Sequence, residues 1–373
     1  MHYFLIAGEA SGDLHAAQLI GALRDTDPEA RFTFLGGDLM AAAAGTQPLI
    51  HYRDMAFMGF SEVLRHLPAV LGNLRTAKKA LADARPDAFI PVDYPSFNLK
   101  VARTAAGSGI PVYYYISPKL WAWKSWRVKA IRRDVRRMLS IFPFEPQWYA
   151  ERGFHADYVG NPSVAEIDAA LAAVPAREEF LQRHSLRDRP IIALLPGSRR
   201  GEIRANLPVM EAAARRFPQY RAVVAVAPGL SDSHYSELTQ LPVVRDATTA
   251  LLRHARAALV TSGTATLEAA LAAVPQVVCY RSNGSKLTYD IMRRILKVSH
   301  VSLPNIIAGR TIVPEMLLHM CTPALVAEQL TPLLRDGTPE RRAQLEGYEA
   351  MRATLGTSDA AATAARIIVS DLA

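Results

Sequence analysis

The sequence predicts an α/β protein built from two doubly wound domains, each with a parallel sheet between helical layers. Three observations lead to this prediction. The chain has 373 residues, more than one hydrophobic core usually serves. Short apolar runs alternate with stretches whose apolar residues recur at helical spacing. The alternation begins again after about residue 185, and repeated strand–turn–helix units are typical of parallel sheets covered on both faces.

The predicted strands are short and apolar, and each is followed by a turn that contains glycine or proline. They are Tyr3–Ala7, Asp87–Val92 and Val112–Ile116 in the first half, then Ile191–Leu195, Arg221–Ala227 and Ala257–Thr261 in the second. The turn cluster Gly160–Ser163 divides the chain into predicted domains 1–162 and 163–349. A last helix, about residues 360–372, can pack on either domain.

Composition narrows the class of protein. The net charge of +8 favours an anionic partner, which can be nucleic acid, a nucleotide or an acidic membrane face. No uncharged apolar run reaches the roughly 18 residues that span a bilayer, and Met1–Ala7 is too short for a signal peptide. The two cysteines, Cys279 and Cys321, lack a partner motif, so neither a disulfide scaffold nor a zinc site is expected. A reducing cytosol fits this composition.

Two turns of the first half carry acids at the ends of predicted strands, where open α/β sheets bind ligands. In Gly8–Asp13, the acids Glu9 and Asp13 suit sugar hydroxyls or proton abstraction. The alternative is a helix N-terminus capped by Ser11 or Asp13. Asp93 ends a buried-looking strand and is a candidate general base with a raised pKa; an Asx-turn before Pro95 explains it equally well.

The turns of the second half suit an anion. After the predicted strand Ile191–Leu195, small residues and an arginine precede a predicted helix. After the predicted strand Ala257–Thr261, hydroxyl residues precede another helix. These donor-site candidates are Gly197, Ser198, Arg199, Ser262, Gly263 and Thr264. A solvated basic loop and a helix capped by Ser262 or Thr264 are the alternatives. Asn305 can bond a donor sugar or phosphate. Glu315, predicted in a first helical turn after Pro314, can bind both ribose hydroxyls; the alternative is a plain first-turn acid that the helix dipole favours.

An apolar stripe and a basic segment are candidates for membrane contact. The stripe consists of Met58, Phe60, Val63, Leu64, Leu67, Val70, Leu71 and Leu74. Its spacing fits an amphipathic helix in a bilayer surface or around acyl chains, and equally a helix packed on the sheet. The basic stretch Lys124–Arg137 follows tryptophans, which suits a membrane interface or nucleic acid; a solvated helix with tryptophans in the core is the alternative.

Taken in order, these motifs resemble the lipid-A-disaccharide synthase family over nearly the whole chain. The motifs are Ala7–Asp13, Met58–Leu64, Ser117–Trp123, Phe142–Glu145, Leu195–Arg199, Ser262–Glu268 and Ser302–Gly309. The resemblance implies a GT-B fold, in which two Rossmann-like domains with parallel sheets face each other across a cleft. The chain departs from the family pattern at Asn161, where histidine is common, and at Leu318, where glutamine is common.

The resemblance also implies a reaction and its partners. A hexosyltransferase of lipopolysaccharide synthesis moves 2,3-diacylglucosamine from UDP to 2,3-diacylglucosamine 1-phosphate with inversion, giving a β-1,6-linked disaccharide 1-phosphate and UDP. No metal or other cofactor is expected. The N-terminal domain is expected to take the acceptor and contact the cytoplasmic face of the inner membrane with its anionic lipids. The C-terminal domain is expected to bind UDP, and residues from about 350 to 373 to pack back on the first domain. A homodimer is compatible with this picture.

Within that mechanism, Asp93 is the first choice for the base, and Glu9 and Asp13 are rivals that orient sugar hydroxyls. Gly8, Ser11 and Gly12 are expected to line the acceptor site, while Arg199, Asn305 and the turn 262–264 stabilise the departing pyrophosphate. Two alternatives stay open at this stage. One is another GT-B enzyme acting on UDP-GlcNAc, such as an epimerase or a peptidoglycan transferase. The other is a non-enzymatic basic protein that binds lipid or nucleic acid.

Overall fold

The computed structural model describes residues 1–55, 67–122, 124–227, 230, 232–281 and 300–373. It divides the chain into two compact units, Met1–Pro162 with Thr357–Ala373, and Ser163–Gly356. Each unit is built around one six-stranded parallel sheet. The α/β class predicted from the alternating pattern is therefore confirmed.

The first unit alternates strands and helices as its sequence pattern predicts. Its elements are β1 (His2–Ala7), α1 (Ala10–Thr26), β2 (Arg31–Leu35), α2 (Asp38–Ala44), α3 (Leu67–Ala84), β3 (Ala88–Val92), α4 (Pro95–Gly107), β4 (Tyr113–Tyr115), α5 (Val128–Asp134), β5 (Arg137–Ser140), α6 (Glu145–Ala150) and β6 (Ala156–Tyr158). The strand order is β2-β1-β3-β4-β5-β6. The order reverses between β1 and β3, so the carboxyl ends of these two strands form the crevice where such sheets bind ligands.

The second unit repeats the plan with a different winding. Its elements are α7 (Pro162–Ala172), α8 (Arg177–Arg183), β7 (Ile191–Leu195), α9 (Arg200–Ala214), β8 (Arg221–Ala225), α10 (Asp232–Ser236), β9 (Val243–Val244), α11 (Thr248–His254), β10 (Ala255–Thr261), α12 (Thr264–Leu271), β11 (Gln276–Tyr280), α13 (Leu303–Ala308), β12 (Glu315–Leu317), α14 (Pro323–Leu333) and α15 (Pro339–Leu355). The order β12-β11-β10-β7-β8-β9 reverses between β7 and β10. The crevice therefore lies at the ends of those two strands.

Both sheets are buried on two faces, which explains why their strands read as continuous apolar runs. In β1, Tyr3, Leu5 and Ala7 belong to the cluster on one face, and Phe4 and Ile6 belong to the cluster on the other. Burial on both sides follows from the period-two alternation of side chains along a strand. The last residues of β1 and β3, Ala7 and Val92, belong to this packed core, so the turns that follow begin at a buried edge.

The last helix, α16 (Ala360–Leu372), returns to the first unit. It packs against α1 and places Ala364, Ala365 and Ile368 in the core of that unit. Near its end, Asp371 accepts a 2.7 Å hydrogen bond from the Tyr113 hydroxyl and also pairs with Arg136. These contacts lie at the amino ends of β4 and β5, so the helix closes the edge opposite the crevice.

Of the two departures from the family pattern, Asn161 has a local structural role and Leu318 has none that the structure explains. Asn161 is buried, and its amide donates a 3.0 Å hydrogen bond to the Ile141 carbonyl oxygen. The preceding Gly160 has φ +104°, and a Cβ there would lie 2.4 Å from the Ser358 carbonyl oxygen of the returning chain. Leu318 begins a 3-10 turn with φ +51°. Only a glycine fits the close approach at residue 160.

Candidate active site

The first candidate site lies where β1 and β3 end side by side. Ala7 is paired with Val92, so the residues that follow, Gly8 and Asp93, leave the sheet together. Gly8 is pressed against the Tyr94 ring, and a Cβ at that position would lie 2.4 Å from ring carbons. Close packing therefore requires a glycine at residue 8, and its expected role in acceptor binding stays a prediction.

Asp93 is held in an unusual backbone conformation. Its φ is +44° and that of Tyr94 is +48°, a left-handed pair that non-glycine residues seldom adopt. The Asp93 carbonyl oxygen accepts hydrogen bonds from the Tyr114 hydroxyl at 2.6 Å and the Asn98 amide at 2.8 Å. These two hydrogen bonds stabilise the strained turn. Residues in left-handed backbone conformations are concentrated at functional sites.

The Asp93 carboxyl has the electrostatics of a general base. Its pKa is raised to about 6, chiefly by burial and then by the negative charge of Glu9, while the charges of Lys119 and His15 oppose the rise. A carboxyl of this kind is ionised at neutral pH but remains basic enough to accept a proton. The structure therefore supports the base assignment of Asp93 over a plain Asx-turn, although proton transfer itself stays a prediction.

Glu9 stands beside Asp93 and keeps its carboxylate available. It is the N-cap residue of α1, yet its side chain makes no capping bond, and it accepts a 3.2 Å bond from the exposed Ser11 hydroxyl. Gly12, one turn into α1, is buried against Ala7. The geometry brings Glu9 and Ser11 to the crevice, where they can meet sugar hydroxyls.

Asp13 requires a correction. Its side chain is only 3% exposed, and its carboxylate accepts hydrogen bonds from the backbone amides of Gly37 at 2.7 Å, Leu39 at 3.1 Å and Met40 at 3.2 Å. These amides begin α2, which leaves its first donors without intrahelical partners. Asp13 caps that helix from a neighbouring element, and the alternative in which Ser11 or Asp13 caps α1 was wrong, because Glu9 is the N-cap residue there. A role of Asp13 as a base or sugar ligand stays a prediction.

The second candidate site lies where β7 and β10 end side by side, with Leu195 paired to Val260. Gly197 turns the chain with φ +122°. The Ser198 amide donates a 3.3 Å bond to Glu202, and the Arg199 guanidinium donates a 3.0 Å bond to the same carboxylate. An amide and a guanidinium thus converge on one carboxylate, and their binding of a nucleotide phosphate stays a prediction. The sequence reasoning missed Glu202; its place three residues after Arg199 at a helix start was the available signal.

The turn after β10 opens α12. Gly263, with φ +150°, is the N-cap residue and supplies no side chain, so capping by Ser262 or Thr264 was a wrong alternative. The Ser262 hydroxyl instead donates a 2.8 Å bond to the Val301 carbonyl oxygen. Gly263 and Thr264 are exposed, and the first amides of the helix have no intrahelical acceptors. This helix start can therefore receive an anion.

Asn305 and Glu315 are hydrogen-bonded to each other, and one prediction for Glu315 requires correction. Asn305 has no exposed surface: its amide nitrogen donates to the Val313 carbonyl and to Glu315, and its oxygen accepts from two backbone amides. Glu315 begins β12 and is not in a helical turn. Its carboxylate accepts from the amides of Val301 and Ser302 and from the Ser302 hydroxyl. Both side chains fasten the segment 301–315. The helical turn predicted for Glu315 was wrong, whereas contact of Asn305 or Glu315 with the donor stays a prediction.

The candidates for membrane contact are only partly visible. Met58, Phe60, Val63 and Leu64 lie outside the described residues, and for Leu67 only the backbone is described. In α3, Leu74 packs on the core while Leu71 is 40% exposed and Val70 is intermediate. The apolar stripe therefore divides between core and surface along the helix. In the described ranges, no helix is long and apolar enough to cross a membrane.

The tryptophans of the basic segment also divide. Trp121 is buried, whereas Trp126 is 67% exposed with the Arg127 guanidinium 5.6 Å above its ring. Lys129 and Arg132, on the following helix, are exposed. An exposed aromatic next to cations is typical of a membrane-interface anchor.

Comparison with known proteins identifies the family. The family model described as lipid-A-disaccharide synthetase matches residues 3–368. The synthase of Myxococcus xanthus is 41% identical over 98% of this chain and 96% of its own length, and that of Neisseria meningitidis serogroup A is 38% identical over 98% and 96%.

Solved structures agree on the fold. The UDP-GlcNAc 2-epimerase of Neisseria meningitidis, bound to UDP-GlcNAc, matches with a TM-score of 0.67 at 13% identity, covering 100% of this chain and 99% of that one. The glycotransferase of kitacinnamycin matches with a TM-score of 0.63 at 16% identity, covering 100% and 99%. At such identities the likeness shows the fold alone, which is the two-domain α/β plan of GT-B enzymes. Sequence similarity over almost the full length goes further: the chain belongs to the lipid-A-disaccharide synthase family.

Proposed function

We propose that this protein transfers 2,3-diacylglucosamine from its UDP derivative to 2,3-diacylglucosamine 1-phosphate, with inversion, and releases UDP. Family membership supports the reaction, and decides against both the epimerase or peptidoglycan transferase and the non-enzymatic alternative. The observation that carries the mechanism is Asp93, a strained, largely enclosed carboxyl whose pKa is raised to about 6 at a sheet's switch point.

In this mechanism Asp93 takes the proton of the acceptor's 6-hydroxyl while the oxygen attacks the anomeric carbon of the donor. The bond from that carbon to the UDP oxygen breaks, and UDP keeps the electron pair. Donors placed in advance stabilise the charge that develops on the leaving phosphate. The Ser198 amide, the Arg199 guanidinium and the first amides of α12 supply them.

The purified protein should form the disaccharide 1-phosphate and UDP from the two diacylglucosamine substrates, as read by mass spectrometry. The reaction should persist with EDTA, because the chain itself supplies the positive charge for the departing pyrophosphate. A reaction without acceptor serves as the control. Conversion of UDP-GlcNAc to its 2-epimer, with no disaccharide from the lipid substrates, would point to an epimerase instead.

We further propose that the first unit binds the cytoplasmic face of the inner membrane through Trp126, its neighbouring cations and the exposed start of α3. Vesicles containing phosphatidylglycerol should co-sediment with the protein, and salt should weaken binding because the attraction is partly electrostatic. Trp126→Ala should weaken it several-fold by removing the interfacial ring. Leu49→Ser, which changes an exposed leucine elsewhere in the unit, is the matched control. Equal binding by all three proteins would refute this contact.

A further inference from the structure

The loop that follows β4, Ser117–Trp121, is fastened at both ends by one short helix. The Ser117 hydroxyl lies 2.9 Å from the Tyr149 hydroxyl, and the Trp121 indole N–H donates a 3.0 Å bond to a Glu145 carboxyl oxygen. Glu145 and Tyr149 are four residues apart on α6, so they lie one turn apart on the same helix face. All four side chains are buried. The helix therefore braces the loop at two points.

The Glu145 end of the brace is an acid kept neutral. Glu145 has no exposed surface, and its other carboxyl oxygen has no hydrogen-bond partner among the described residues. Phe142 and Phe144 flank its partner Trp121, with ring centroids 6.3 Å and 5.2 Å away. Burial raises the pKa of Glu145 to about 8, against which the charge of Lys119 acts weakly. At neutral pH the carboxyl is therefore protonated.

Between the two fastened ends, Lys119 is exposed to solvent. The loop stands beside Asp93, because β4 adjoins β3 and the Asp93 amide donates a 3.1 Å bond to the Tyr115 carbonyl oxygen. The positive charge of Lys119 is near enough to lower the pKa of Asp93. An exposed cation on the loop after β4 thus acts electrostatically on the candidate base at the end of the neighbouring strand.

We propose that Lys119 binds the phosphate of the acceptor, and that Glu145 and Tyr149 position it by bracing its loop. The inference rests on the proposed function, in which the acceptor is a sugar 1-phosphate: its phosphate on C1 and its reacting 6-hydroxyl, carried by C5, flank the ring oxygen. Base and phosphate-binding cation must then stand within about one sugar ring of each other, which the loop after β4 allows because β4 adjoins β3 and neighbouring strands lie about 5 Å apart. A lysine ammonium is a common partner for phosphate.

Lys119→Met in the full-length protein should raise the KM for diacylglucosamine 1-phosphate by about 10-fold or more, the usual effect of losing a charge-assisted hydrogen bond. Lys119→Arg should recover most of the affinity, and the Kd for UDP should not change. Lys100→Met, which removes an exposed lysine from α4, is the matched control. An acceptor KM within twofold of wild type in Lys119→Met would overturn the assignment.

Calorimetric binding of the same acceptor separates the two proposals, because it needs no turnover. If the wild-type protein binds the acceptor and Lys119→Met does not, the phosphate contact stands even where no disaccharide forms. If the wild-type protein forms disaccharide and both proteins bind the acceptor equally, the proposed function stands and the role of Lys119 falls. An equal loss of UDP affinity in Lys119→Met would instead assign the lysine to the nucleotide.

The brace has its own readout in the pH profile. In wild type, ionisation of Glu145 near pH 8 should weaken the brace and raise the acceptor KM toward pH 9. Glu145→Gln keeps a neutral acceptor for the Trp121 N–H, so its KM should match wild type at pH 7 and stay flat to pH 9. Glu145→Ala should raise the KM at both values while the protein remains folded by circular dichroism. A folded Glu145→Ala with wild-type KM, or an alkaline rise retained in Glu145→Gln, would refute the brace.

Discussion

Asp93→Asn should lower turnover by about 100-fold or more, the usual contribution of a general base, while leaving UDP affinity unchanged. Asparagine is close in shape and tolerates the left-handed backbone that residue 93 adopts at φ +44°. The substitution therefore removes the proton acceptor without disturbing the turn. Steady-state turnover with both lipid substrates measures the effect.

The pH dependence gives this prediction a second readout. The pKa of Asp93 is raised to about 6, chiefly by burial and then by the charge of Glu9. Wild-type turnover should therefore fall as the pH drops through 6, because the base becomes protonated. The residual turnover of Asp93→Asn should lack this acid limb. Glu9→Gln should keep most of the turnover and move the limb to lower pH, since it removes the neighbouring negative charge.

The thermal stability of Asp93→Asn shows whether a loss of turnover comes from lost catalysis or from lost folding. A carboxyl whose folded-state pKa is raised contributes stability at low pH and loses that contribution as the pH rises through its folded pKa. For Asp93 this loss is complete above about pH 6. Asp93→Asn cannot ionise, so at pH 8 its Tm should equal or exceed that of wild type. Normal turnover in Asp93→Asn would exclude Asp93 as the base. If Glu9→Gln loses activity at the same time, Glu9 is the base.

The fold could be predicted from sequence because burial on both faces of a parallel sheet leaves an unmistakable pattern. The predicted strand Ile191–Leu195 matches β7, and Asp87–Val92 differs from β3 by one residue. Strand ends were less certain where a turn continued the apolar run. The predicted strand Arg221–Ala227 is two residues longer than β8, because Val226 and Ala227 stay buried after the strand ends.

The site was harder to predict, because a polar residue in a turn has two competing uses. Asp13 and Asn305 occupy the same kind of position as Asp93, yet their polar atoms serve backbone amides brought near by other elements. Which amides lie within reach depends on tertiary contacts between distant segments, such as Asp13 with Gly37. Asp93 differs because the Tyr114 hydroxyl and the Asn98 amide donate to its backbone carbonyl oxygen and not to its carboxylate.

Arg199→Ala should weaken UDP binding by about 10- to 100-fold, as loss of a charge-assisted hydrogen bond to phosphate does. The guanidinium is 64% exposed at the switch point of the second sheet, where it meets the Glu202 carboxylate at 3.0 Å. Since a pyrophosphate would compete with that carboxylate for the Ser198 amide and for Arg199, Glu202→Gln should bind UDP more tightly than wild type. Calorimetry with UDP measures all three proteins.

Arg204→Ala is the matched control for this pair, because Arg204 is an exposed arginine on the same helix, α9, one turn further from the crevice. If both arginine variants lose affinity equally, the nucleotide responds only to the general positive field, and raising the salt concentration should abolish the difference from wild type. If Arg199→Ala alone loses affinity and Glu202→Gln gains it, the pyrophosphate takes the place that the carboxylate holds. UDP affinity unchanged in Arg199→Ala would exclude this guanidinium from the nucleotide site.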